Sequence, residues 1–158
     1  MSAVVTHHLP AAVLQTLSMV ADALTGARDP WWLIGGAAIG LHGVQSAIPD
    51  VDVVMSPQDA RQVLLELNIS PAEDDGTALF RSEVFGRWTM LPLPVEIMGG
   101  FQIRTQEGWR PLVPATREPF PVDGRTLYVP SRRELIEICR LFGRPKDLAR
   151  AGALGRLG

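Results

Sequence analysis

A chain of 158 residues, 46% apolar and 20% charged, is long enough to bury one sizeable core, and its mean hydropathy of +0.12 leaves apolar surface for an oligomer or partner. No apolar run reaches the length of a membrane span, and MSAVVTHHLP lacks the basic-then-apolar order of a signal peptide. A net charge of −2 is no basis for stable nucleic-acid binding, and the single cysteine, Cys139, excludes an internal disulfide and fits a cytoplasmic protein.

Residues 1–8 are expected to be loose, with one domain over residues 9–158. His7 and His8 are adjacent and would point apart, so they make no metal pair. Apolar residues at Val13, Leu14, Leu17, Val20, Ala21 and Leu24 have helical spacing over residues 9–24, and Gly26 is a natural stop. Asp29-Pro30 turns the chain into a strand, Trp31 to Ile34, whose two tryptophans face opposite ways and pack. Gly35 and Gly36 then allow a tight turn and close approach to a ligand. A short helix over residues 37–43 would present free N–H groups that favour phosphate.

In Asp50-Val51-Asp52-Val53-Val54, alternate side chains share a face of a strand. Asp50 and Asp52 point one way, Val51 and Val53 into a core. Two like charges so placed repel unless water or a cation separates them, and Mg²⁺ takes carboxylate oxygens. Ser56-Pro57-Gln58-Asp59 starts a helix that runs through Leu67. Residues 68–77 form a polar loop in which Glu73, Asp74 and Asp75 are solvated.

Residues 78–103 are read as two or three strands, with residues 78–85 and 87–91 pairing around Gly86. The next strand, Leu93 to Met98, carries Glu96 between inward Val95 and Ile97. Alone, Glu96 would be an ordinary exposed acid; given Asp50 and Asp52, it is expected to be the third acid of a site. Residues 104–130 are proline-rich, with a hairpin, PFPVDGRTLYVP, on the sheet edge. Ser131-Arg132-Arg133-Glu134 has the form of a capping box, and the C-terminal helices span residues 131–154, the second started by Pro145. Cys139 is a small buried residue with no activating partner in view.

Charge is uneven. Residues 1–130 hold 8 basic and 14 acidic residues, a net −6; residues 131–158 hold 7 and 3, a net +4. A basic tail facing an acidic body suits a triphosphate near a metal, although ordinary helix-surface charge gives the same count. Lys146 is the lone lysine among 15 basic residues, so it marks either a place that needs a compact ammonium or a helix-start surface position.

Gly35-Gly36, a gap of thirteen residues, then Asp50-Val51-Asp52-Val53 resembles the signature of the nucleotidyltransferase superfamily, the polymerase-beta-like fold. Leu141-Phe142-Gly143-Arg144-Pro145-Lys146-Asp147 is similar to the Gly-Arg-x-Lys-Asp segment of its small bacterial members. These include aminoglycoside- and lincosamide-modifying enzymes and antitoxin-type minimal nucleotidyltransferases. The matches run in order over roughly residues 31–150. The resemblance implies an α/β (α+β) fold with a mixed, mostly antiparallel central sheet flanked by helices. It implies Asp50, Asp52 and Glu96 as catalytic acids and ligands for one or two Mg²⁺ ions. Gly35, Gly36, Ser46 and Lys146 would bind the triphosphate of an NTP, with ATP first in order. The acceptor would be a hydroxyl of a small molecule or a protein. Members often place Ser or Thr two residues before the first acid. Here that position is Ile48, so Ser46 or Gln45 would have to serve from a different loop shape. The alternative is a non-catalytic or weakly active module acting as an antitoxin or partner-binding protein, as a homodimer or with a toxin partner.

Overall fold

The structure is a computed structural model that describes residues 8–72 and 76–158. The expectations placed on residues 1–7, His7 among them, and on Glu73, Asp74 and Asp75 lie outside the described residues.

The first helix, α1 (Ala11–Ala23), buries Val13, Leu17, Val20 and Ala21 along one stripe. Thr16 is also buried there: its hydroxyl donates to Ala12 O and accepts from Leu93 N at 3.1 Å, which ties α1 to the chain before Glu96. The chain then enters β1 (Trp32–Ile34) and turns directly into α2 (Gly35–Leu41). Strand β2 (Val51–Met55) follows, then α3 (Pro57–Glu66), capped as expected by Ser56, whose Oγ accepts from Asp59 N at 3.2 Å. Asp59 is itself buried and accepts the backbone N–H groups of Arg28 and Asp29 at 2.8–3.2 Å, a tie with no local sequence signal.

Strands β4 (Val84–Trp88) and β5 (Val95–Gly99) complete a central sheet in the order β1-β2-β5-β4. Only β2 and β5 run parallel; the other two pairings are antiparallel, so the sheet is mixed and mostly antiparallel. Alternation splits the core. Trp31, Leu33, Val51, Val53, Val95 and Ile97 enter the main core with α1 and α3. Trp32, Ile34, Val54 and Met98 face a second, smaller cluster with Phe101, Ile103, Leu112 and Ile138. Both tryptophans are buried, on opposite faces as read from the sequence.

Gly86 is not the turn between paired strands. It lies inside β4, where a Cβ would stand 2.4 Å from Leu64 Cδ2, so this glycine admits α3 against the sheet. The short strand β3 (Phe80–Arg81) pairs instead with β6 (Gln102–Thr105). Strands β6 and β7 (Gly108–Pro111) form a hairpin that the proline count hid, closed by Gly108 at φ +107°.

The expected hairpin is present as β8 (Glu118–Val122) and β9 (Arg125–Val129), turned by Asp123 and Gly124 at φ +47° and +75°. It is a separate two-stranded ribbon packed beside β1 and α1, not a further strand of the central sheet.

The C-terminal helices are α4 (Arg132–Phe142), ended by Gly143 at φ +72°, and α5 (Pro145–Gly155). Half of the predicted capping box forms: Ser131 Oγ accepts from Glu134 N at 3.1 Å. Glu134 does not reach back to Ser131. Its carboxylate takes the N–H groups of Ala115 and Thr116 at 2.7 and 2.8 Å and the Thr116 hydroxyl, while Ser131 N donates to Thr116 Oγ1. Three donors in one loop outcompete one local N–H. No helix of the described residues is long and apolar enough to cross a membrane.

Candidate active site

Pairing places four side chains in one row across the sheet. Ile34 faces Asp52, Asp52 faces Glu96 on the parallel strand β5, and Glu96 faces Arg87 on β4. Asp50, just before β2, falls on the same side as Asp52 by alternation. Each of Asp50, Asp52 and Glu96 offers an oxygen, and the three oxygens lie within 4.8 Å of one another. This is the one cluster of metal-binding type found among the described residues.

Three carboxylates this close are electrostatically unfavourable on their own. Burial, then the charges of Asp50 and Glu96, push the Asp52 carboxyl up to about 8. Asp50 is also raised, first by burial and then by Glu96, against the lowering effect of Lys146, Arg150 and Arg87. A cation among these oxygens would remove the repulsion, and hard carboxylate donors suit Mg²⁺.

Gly35 makes the approach possible. Its φ is +70°, and a Cβ there would lie 2.6 Å from Asp52 Oδ2. A Cβ at Gly36 would meet a terminal guanidinium nitrogen of Arg150 at 3.3 Å, so this glycine sits under a side chain from α5. That helix brings more charge. Asp147 is 1% exposed and accepts from Arg144 N, Nε and Nη2 at 3.2, 2.6 and 3.0 Å, with Arg150 Nη1 at 3.9 Å. Asp147 therefore positions two arginines on the cavity wall.

The cavity holds about 290 Å³. Its floor is acidic, with Asp50, Asp52 and Glu96; its wall is basic, with Arg87, Arg144, Lys146 and Arg150. Its apolar side includes Phe80 and Phe142, whose rings meet edge to face at 4.7 Å, and Arg144 lies over Phe80 at 4.9 Å.

Of the residues singled out from the sequence, Gly35, Asp50, Asp52, Glu96 and Lys146 all line this cavity. Gly36 adjoins it through Arg150. Ser46 is exposed on the loop between α2 and β2 and is not part of the lining. Ile48, two residues before the first acid, is buried against Gly40, where a Cβ would stand 2.9 Å from Ile48 Cδ1. It anchors the loop in the core. Cys139 is buried and reaches the cavity, and burial pushes its thiol up to about 11, which does not suit a nucleophile.

Sequence reasoning passed over Arg87 and Arg150, and it quoted Arg144 and Asp147 in the Gly-Arg-x-Lys-Asp segment without giving either a role. Arg87 donates to Glu96 Oε2 from Nη2 at 2.7 Å and from Nε at 3.3 Å. The sequence reading split Phe85 and Arg87 between two strands at Gly86, whereas both lie on β4 with Arg87 opposite Glu96.

No family model and no curated protein matches the sequence. Solved structures do match its shape. A Thermotoga maritima protein described as a nucleotidyltransferase superposes with a TM-score of 0.75 at 22% identity, over 90% of this chain and 93% of that one. The lincosamide antibiotic adenylyltransferase LnuA, solved with lincomycin, gives 0.59 at 12% identity, over 90% and 96%. ANT(2″)-Ia, in complex with adenylyl-2″-tobramycin, gives 0.54 at 13% identity, over 89% and 86%. The chain has the nucleotidyltransferase fold.

Proposed function

We propose that this protein transfers a nucleoside monophosphate from an NTP to a hydroxyl group, with Mg²⁺ as cofactor. The observation that carries the proposal is the meeting of three acids, within 4.8 Å of one another, with a wall of four basic side chains in one cavity. Acids alone would suit a metal; acids opposed by cations suit a metal and a polyphosphate together.

Asp50 and Asp52 would hold one Mg²⁺, and a second could be shared with Glu96. Bound there, Mg²⁺ supplies charge neutralisation for the triphosphate and for the departing pyrophosphate. The chain's own groups do the rest. Gly35 and Gly36 leave space for phosphate to approach the backbone. Lys146, Arg144 and Arg150 attract the triphosphate. The acceptor oxygen bonds to the α-phosphorus as the bridging P–O bond to the β-phosphate breaks. Pyrophosphate leaves with the bonding pair, and the hydroxyl proton passes to the Glu96 carboxylate. Arg87 donates to the same carboxylate and competes with a cation for it.

ATP is the first donor to test, since two of the structural neighbours are named for adenylyl transfer or contain an adenylylated product. The same two contain lincomycin and a tobramycin derivative, which favours a small-molecule acceptor over a protein. The test is calorimetric titration of ATP, GTP, CTP and UTP, each with and without Mg²⁺, into wild type and an Asp50→Asn, Asp52→Asn double variant. Mg²⁺-dependent binding to wild type that the double variant loses is expected. Absence of nucleotide binding to wild type would sink the proposal and leave a partner-binding module of the same fold.

A further inference from the structure

A second cavity, of about 640 Å³, opens on the same face of the sheet. Trp32 pairs with Val54 as Ile34 pairs with Asp52. Alternate residues share a face, so Val54 stands about 7 Å along β2 from Asp52, on the side of the acids. Trp32, Val54, Phe101 and Leu112 line this space, and Val113, 71% exposed, lies at its mouth. Trp32 is held in place by its indole N–H, which donates to Thr116 O at 2.8 Å.

Two residues, Ser82 and Phe101, line both this cavity and the acidic one. Ser82 Oγ is buried and has no hydrogen-bond partner among the described residues. A ligand hydroxyl that met it would give this buried group the partner it lacks. Two of the three charged side chains in the lining, Arg81 and Glu83, are already engaged. Glu83 pairs with Arg61 at 2.9 Å, and Arg81 donates to Gln102 at 2.5 Å and stacks on Trp109. A polycationic sugar would need free carboxylates here, and of the two acids in the lining, Asp29 and Glu83, the second is taken.

We propose that this cavity seats the apolar body of the acceptor, an alcohol with an aromatic or alicyclic frame. Its hydroxyl reaches past Ser82 toward Asp50, Asp52 and Glu96. The volume falls in the usual range for small-molecule sites, and the mainly apolar lining with one unmatched hydroxyl is the usual pattern of such sites. The proposal rests on the nucleotidyl-transfer reading, whose chemistry gives the alcohol its fate.

The probe is naphthaleneethanol, a bicyclic aryl alcohol, titrated into the full chain. The readout is the indole N–H resonance of Trp32, assigned with a Trp32→Phe variant. A saturable shift is expected in wild type. Val113→Asp, an exposed change that spares folding, should weaken it about tenfold by placing a charge at the apolar mouth. Ser82→Ala should weaken it less, and ATP–Mg²⁺ binding measured on the Val113→Asp samples should stay within about twofold, since Val113 does not line the acidic cavity. No saturable shift, or a shift insensitive to Val113→Asp, overturns the proposal. Binding of the alcohol in a protein that binds no nucleotide would keep the cavity and discard the transfer chemistry.

Discussion

Gly35 lies directly beneath the carboxylate of Asp52, so close that a Cβ at residue 35 would stand 2.6 Å from Asp52 Oδ2. Its φ of +70° adds a second reason for glycine. Gly35→Ala is therefore expected to destabilise the fold by about 1–3 kcal/mol and to weaken divalent-cation binding, because Asp52 must move away. Gly36→Ala is the control. Its Cβ would meet the end of the flexible Arg150 side chain at 3.3 Å and Ala47 O at an ordinary 3.9 Å, and alanine favours the helix, so stability should change by less than about 1 kcal/mol. Urea denaturation of both variants, with calorimetric Mn²⁺ titration, checks the pair. Equal behaviour of the two would remove the steric role assigned to Gly35.

The raised Asp52 carboxyl makes stability depend on pH. Its folded value is about 8, against 3.8 for the ordinary group, with burial the larger cause and Asp50 next. Between these values the folded state binds a proton that the unfolded state does not. Stability of the metal-free protein therefore falls as pH rises through this window, from about pH 4 to about pH 8. Mg²⁺ needs the ionised carboxylates, so it should raise the melting temperature more at about pH 8.5 than at about pH 5. Asp52→Asn should flatten the metal-free profile and abolish the Mg²⁺ effect. Thermal denaturation across pH with EDTA or Mg²⁺ decides this; a metal-free wild type that gains stability toward pH 8 would contradict it.

The acids were legible because their signals are local. Asp50 and Asp52 declare a shared face by spacing alone, and Glu96 does so between Val95 and Ile97, both 1% exposed or less beside their strand partners Val51 and Val53. That these acids meet is a matter of register, and the Asp52–Glu96 pairing on parallel strands lies 44 residues apart in the chain, from 52 to 96. No local pattern encodes it; the family resemblance supplied it. Gly86 shows the opposite failure. Its composition signal is a turn, yet its cause is Leu64 on a helix that packs across it. Glu134 failed as a box partner for a similar reason, since the loop at residues 115–116 offers it better donors. Arg87 and Arg150 were missed because nothing in one strand or helix says which opposite charge it will face.

Arg87 competes with a cation for Glu96. The pair is short, 2.7 Å, but the arginine side chain is 55% exposed and the glutamate 25%. Such a pair contributes only about 0–1 kcal/mol to stability, so Arg87→Ala should leave the urea midpoint nearly unchanged. It should raise affinity for Mn²⁺, since Glu96 loses its competing ligand and the cluster a nearby positive charge. Manganese titration followed by electron paramagnetic resonance reads the affinity directly. Weaker manganese binding in Arg87→Ala would mean that Arg87 positions Glu96 for the metal and does not compete with it.

Asp147 and Lys146 are neighbours in sequence and separate in effect. Asp147 is buried and accepts three N–H groups of Arg144, while Lys146 is exposed and lines the cavity. Asp147→Asn keeps the shape but loses the charge that holds Arg144 and faces Arg150. It should cost about 1–3 kcal/mol of stability and also loosen the basic wall, lowering affinity for ATP–Mg²⁺. Lys146→Ala removes one exposed ammonium. Stability should hold within about 0.5 kcal/mol, as for other surface changes. ATP–Mg²⁺ affinity should fall about tenfold, as expected for one lost charge-assisted contact to phosphate. Lys146→Arg separates charge from shape: partial recovery assigns the role to positive charge, and none assigns it to the compact ammonium. Unchanged ATP affinity in Lys146→Ala, beside a loss in Asp147→Asn, would give the triphosphate to the arginines alone and return Lys146 to the helix surface.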